Sequence, residues 1–130
     1  MMGLRELSER TRAMLKASPE VLEHTGGGER IYPVVATRGA DCSRRAWVAY
    51  RHTGTTDDGS KDGTALLRPR VELTVAAPTM GEALDTADAC RRAMEAGDEC
   101  LSYGMTGYDE DYNEAMELYV ATLTMEGLSC

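Results

Sequence analysis

A chain of 130 residues and 14.1 kDa is long enough to hide roughly two-thirds of its unfolded surface, so it needs neither disulfide nor metal to fold. Hydrophobic residues at 42% and charged residues at 28% argue against disorder. The net charge of −8 argues against a sequence-independent nucleic-acid binder and against docking on an anionic membrane, since each needs a basic surface. Phe is absent, which leaves aliphatics, Met, six Tyr and Trp47 to fill the interior. No apolar run approaches the roughly 18 residues of a membrane span, and MMGLRELSERTR lacks the apolar middle of a signal peptide, so a cytosolic chain is expected.

Leu4, Leu7, Met14 and Leu15 recur at helical spacing and predict a first helix with Arg and Glu on its other face. Ser18-Pro19-Glu20 reads as an N-cap followed by Pro at the first helical position, opening a short turn that carries Val21 and Leu22 and ends at Gly26-Gly27-Gly28. Ile31 to Val35 predicts a short strand, which Pro33 confines to a sheet edge because it cannot donate to the ladder. In the next strand, Ala46 to His52, Ala46, Val48 and Tyr50 alternate with Trp47, Ala49 and Arg51, and His52 at its end points to solvent. The polar stretch Thr53 to Gly63 reads as a mobile hairpin loop. From Leu66 to Ala77, Val71, Leu73, Val75 and Ala77 share one face, opposite Arg70, Glu72 and Thr74.

Thr79-Met80-Gly81-Glu82 is a capping box, and the helix behind it aligns Met80, Ala83, Leu84, Ala87, Cys90 and Met94 before Gly97 terminates it. Leu101 to Met105 predicts a short strand, Tyr108 to Glu114 an acidic connector, and Ala115 to Met125 the last and longest strand, apolar on both faces. The order α-β-β-β-α-β-β implies a single α+β domain over residues 1–130: a two-layer sandwich with a mainly antiparallel sheet of about five strands on two helices. Two helices cover one sheet face, so the other is expected to lack a cover within the chain.

No motif brings catalytic or metal chemistry together. Asp58 to Gly63 matches the opening of a calcium loop, but Pro69 stands where the bidentate Glu belongs and the flanks are strands. Gly26-Gly27-Gly28-Glu29 precedes a strand instead of opening a helix, so it cannot cradle a phosphate. Cys42, Cys90, Cys100 and Cys130 have no close metal or redox spacing and read as four free thiols. His24 sits near a helix end, where an imidazolium suits the dipole. The neighbouring acids Asp98-Glu99 and Asp109-Glu110-Asp111 read as solvated. No cofactor, metal ion or catalytic residue is therefore expected.

The charge is strongly segregated. Residues 1–75 hold 12 Lys and Arg against 10 Asp and Glu, whereas residues 76–130 hold 2 against 12. Such a dipolar subunit can attract its own copies head to tail.

The segments ASPEVLEHTGGGERIYP, RRAWVAYRH, RPRVELTVAAP and TMGEALDTADACRRAME, followed by an acidic Tyr-containing connector and a closing strand, resemble in their layout the tail-terminator and tail-completion (head–tail joining) proteins of long-tailed bacteriophages and prophages. The layout departs from that family at Arg45-Ala46-Trp47, where a Pro-Tyr pair is expected. The resemblance implies a structural protein, not an enzyme, made in the cytoplasm of a bacterial host and built into the virion tail. It implies a homo-oligomeric ring, commonly a hexamer, that caps the tail tube, fixes its length and meets the head connector. DNA passes through such a ring, and an acidic lining keeps the genome from sticking. Arg44 and Arg45 are the candidate basic side of the repeated interface, with Asp109, Glu110 and Asp111 opposite. The alternative is a small ferredoxin-like ligand-binding or regulatory module, dimeric through its sheet. A hydrolase using His24 or His52 is a third, weaker reading.

Overall fold

Alternating apolar strands need a layer to pack against, and the computed structural model shows how the chain supplies one. It describes residues 4–26, 31–33, 46–56, 67–99 and 101–129. In chain order the elements are α1 (Leu4–Lys16), α2 (Pro19–Thr25), β1 (Ile31–Pro33), β2 (Trp47–Thr56), β3 (Leu67–Ala77), α3 (Met80–Ala96), β4 (Leu101–Asn113) and β5 (Leu118–Ser129). The strands form one sheet in the order β1-β2-β3-β5-β4. Every pairing is antiparallel except β1 with β2, which is parallel. The architecture is the expected α+β two-layer sandwich, with a third helix in α2, and Pro33 stands on an edge strand as its missing N–H requires.

The helix termini follow local chemistry. Ser18 caps α2 by accepting from the Val21 N–H at 3.3 Å, and Gly26 ends it in the left-handed conformation. Thr79 caps α3 by accepting from the Glu82 N–H at 3.2 Å, and Gly97 closes that helix at φ 61°. No side chain fits at Gly97, because an added Cβ would lie 2.2 Å from the Leu101 carbonyl oxygen.

The main core lies between the helices and one sheet face. Val71, Leu73, Val75, Ala121, Leu123 and Met125 from the central strands pack beneath Ala83, Ala87, Cys90 and Met94 of α3, with Leu7, Met14, Leu15 and Val21 from the other helices. Leu73 is fully buried, so truncating it to Ala costs about 2–5 kcal/mol. The buried threonines of all three helices donate back to the carbonyl one turn earlier: Thr11 to Leu7, Thr25 to Val21 and Thr86 to Glu82. Cys90 is a free, buried thiol that desolvation pushes up to about 12; Cys42, Cys100 and Cys130 lie outside the described residues.

Several expectations need correction. The acidic segment from Tyr108 is not a connector: β4 continues through it to Asn113 and, at 13 residues, is longer than β5. The turn occupies 114–117, and the last strand starts at Leu118. The stretch expected to be a loop from Thr53 begins as strand, since β2 runs to Thr56; residues 57–63 of it lie outside the described residues. His52 is also not at the solvent. It shares a face with Val48 and Tyr50, is half-buried, and places Nε2 2.9 Å from the Thr11 hydroxyl of α1.

The far sheet face differs from the bare apolar surface expected. At one end Trp47, Ala49, Ala76 and Leu118 are buried within the single chain, with Tyr32 and Val120 against them. The rest of that face carries Arg51, Glu72, Thr74, Thr122 and Thr124. The large apolar side chains left in solvent are elsewhere.

Candidate interaction surface

Met105, Tyr108, Tyr112, Met116 and Tyr119, the exposed large apolar side chains among the described residues, all belong to the β4–β5 hairpin. The same hairpin carries Asp109, Glu110, Asp111, Glu114, Glu117 and Glu126 and has no Lys or Arg. Scattered single apolar residues on a surface carry no message, but a contiguous set on one arm does.

A bulge decides which residues share a side. Register runs from Met105 opposite Met125 directly to Gly107 opposite Thr124, so Thr106 is the extra residue. Its hydroxyl donates to the Thr124 carbonyl at 3.2 Å. Beyond the bulge Tyr108, Glu110 and Tyr112 lie opposite Leu123, Ala121 and Tyr119, on the side where α3 packs. Asp109 and Asp111 lie opposite Thr122 and Val120, on the far side. The three consecutive candidate acids are thus brought to one edge strand but split between its two faces. Arg44 and Arg45, their candidate partners, lie outside the described residues.

The α3 side of the hairpin is preorganised. Tyr108 donates its phenolic hydrogen to Glu110 at 2.6 Å, and exclusion of water together with that bond pushes its pKa up to about 12. Tyr112 and Tyr119 meet edge to face across the strands, centroids 4.9 Å apart. At the tip, Asn113 accepts from the Met116 N–H at 3.0 Å, and Glu117 takes the left-handed conformation at φ 55° to close the turn. Between α3 and the hairpin runs a groove of about 270 Å³, lined by Leu84, Ala87, Asp88, Arg91, Met105, Tyr108 and Leu123. Arg91 is committed to Asp88 and Glu95, at 3.0 and 2.8 Å.

The second charged surface is α1. Arg10 bonds Glu6 and reaches Asp98 at 3.1 Å, fixing the helix near the start of β4. Arg5, Arg12 and Lys16 fall on a different stripe, are exposed, and make no ion pair among the described residues. Their spacing of seven and four residues keeps them on one side of the helix, and Glu9, four residues after Arg5 and three before Arg12, lies on the same side.

Among the described residues, neither histidine joins a reactive group. His24 lies in the last turn of α2, and among the described residues no three His, Cys, Asp or Glu side chains gather as metal ligands. Also among the described residues, no helix is long and apolar enough to cross a membrane. The sequence gives α1 a polar face without singling out Arg5, Arg12 and Lys16, and it hides the exposed tyrosines because an edge strand with little to bury need not alternate.

Comparison with known proteins places this architecture. No curated protein matches the chain. A chain in the solved virion of the native gene transfer agent (GTA) particle shares the fold, with a TM-score of 0.70 at 13% identity over 95% of this chain and 93% of that one. The family model for tail completion protein gp17 matches residues 9–119, from within α1 to the start of β5. The chain belongs to the tail completion protein gp17 family and is a structural protein of phage-type tails.

Proposed function

We propose that this protein forms a homo-oligomeric ring, a hexamer, that terminates the tail tube and joins it to the head connector, and that it works as a building part and not a catalyst. The observation that carries this is the hairpin: a family of tail-completion proteins supplies the setting, and one acidic arm presents all five of the exposed large apolar side chains among the described residues. Association would remove that apolar surface from water at about 25 cal/mol per Å². The two halves of the chain differ in charge, so unlike surfaces of neighbouring copies attract, and a heterologous contact of this kind yields a ring where its rotation closes. On the far side of the hairpin, Asp109 and Asp111 are set against Arg44 and Arg45 of the next copy. The acidic second half also keeps the passage from holding DNA.

Native mass and electron microscopy of the protein, alone and on tail tubes lacking it, test the reading. A ring at the tube end is expected. A dimer that never caps a tube would favour a regulatory module, and tight duplex binding at physiological salt would count against the acidic passage.

A further inference from the structure

The hairpin and α1 are complementary surfaces that a single molecule does not bring together. Tyrosine faces flanked by a fixed carboxylate form an arginine-binding arrangement: the ring attracts the guanidinium plane, the carboxylate takes its N–H groups, and the aliphatic stem covers apolar surface. The hairpin offers this at Tyr108 and Glu110, whose mutual hydrogen bond of 2.6 Å holds both in place, and continues it at the Tyr112–Tyr119 pair. Meanwhile Arg5, Arg12 and Lys16 stand exposed on α1 without an ion pair among the described residues.

Within one protomer the two are held apart. Thr11 is bonded to His52 and Tyr103, and Arg10 to Asp98, so α1 is tied near the start of β4, whereas Tyr108 and Tyr112 lie farther along that strand and Tyr119 beside them on β5. The spacings also agree. Arg5 and Arg12 are separated by about 10 Å of helix, and Tyr108 and Tyr112 by about 13 Å of strand, a difference that flexible arginine side chains absorb.

We propose that the α3 side of the hairpin, from the groove at Met105 and Tyr108 to Tyr112 and Tyr119, receives the Arg5–Arg12–Lys16 stripe of α1 from a second copy of this chain. This names the partner for the ring reading and rests on it. The contact joins two different patches, so each subunit donates one and receives on the other. Arg12 faces Tyr108 and Glu110.

A charge exchange tests the pairing. Native mass across a concentration series is measured for wild type, Arg12→Glu, Glu110→Arg and the double variant, each alone and with tail tubes lacking the protein. Thermal unfolding confirms that each variant folds. Wild type is expected to assemble, each single variant to raise the subunit dissociation constant about tenfold or more, and the double variant to recover most of the loss. Single variants that assemble as wild type does, or a double variant no better than the worse single, overturn this docking while leaving the ring intact. A wild type that stays a single protomer in both settings overturns the ring and this inference together.

Discussion

The polar knot under α1 gives the most direct test of how the helical layer is fastened to the sheet. Thr11 has one hydroxyl hydrogen, and it goes to the Leu7 carbonyl at 3.0 Å. The oxygen is then left to accept from His52 Nε2–H at 2.9 Å and from the Tyr103 hydroxyl at 3.2 Å. Thr11→Val keeps the shape and removes the acceptor. Tyr103 is only 3% exposed, so its stranded hydroxyl costs about 1–3 kcal/mol, while the added methyl returns roughly 1 kcal/mol. The half-buried His52 reaches water and adds little. A net loss of up to about 2 kcal/mol is expected, a fall in Tm of up to about 8 °C for a domain of this size. Tyr103→Phe alone should cost about 1 kcal/mol, but little in the Thr11→Val background, where its partner is already gone. Urea unfolding of the four proteins followed by circular dichroism gives the coupling directly, expected at about 1 kcal/mol. Additivity within about 0.5 kcal/mol would refute the knot as a working contact.

Burial lowers the His52 pKa below its ordinary 6.5, so the unfolded chain binds the extra proton first as pH falls. Stability contributed by this site should be complete above pH 6.5 and decline as pH drops below it, and His52→Gln should flatten that limb of a pH series of melts. Cys90, whose burial pushes its thiol up to about 12, should resist iodoacetamide in the native protein at mildly alkaline pH and react after unfolding, read by peptide mass. Gly97→Ala places a Cβ 2.2 Å from the Leu101 carbonyl oxygen at φ 61° and should lower stability by about 1–3 kcal/mol in urea titration.

The elements most legible in the sequence are those buried on one regular face. Val71, Leu73, Val75 and Ala77 alternate because one side of β3 meets α3, and the Thr79 cap and Gly97 stop are local chemistry that needs no tertiary context. The outer half of β4 was hidden for two physical reasons. It is an edge strand with little to bury, so Tyr, Asp and Glu occupy it freely, and the extra residue at Thr106 shifts the alternation midway. His52 was misplaced because Thr53 to Thr56 read as polar loop, although threonine is a good strand former, and because a contact from α1 across 41 residues leaves no local mark. The acids Asp109, Glu110 and Asp111 were visible as a run, but their division between two faces follows from pairing alone.

Thr106 is a codon the arm could lose without turning over. Removing that residue would join Met105 directly to Gly107 and restore strict alternation, and Tyr108, Glu110 and Tyr112 would keep Leu123, Ala121 and Tyr119 as partners and stay on the α3 side. A three-base deletion there would therefore leave the chemistry of the two sides in place, so a lineage of such proteins could gain or lose this residue without trading its neighbours.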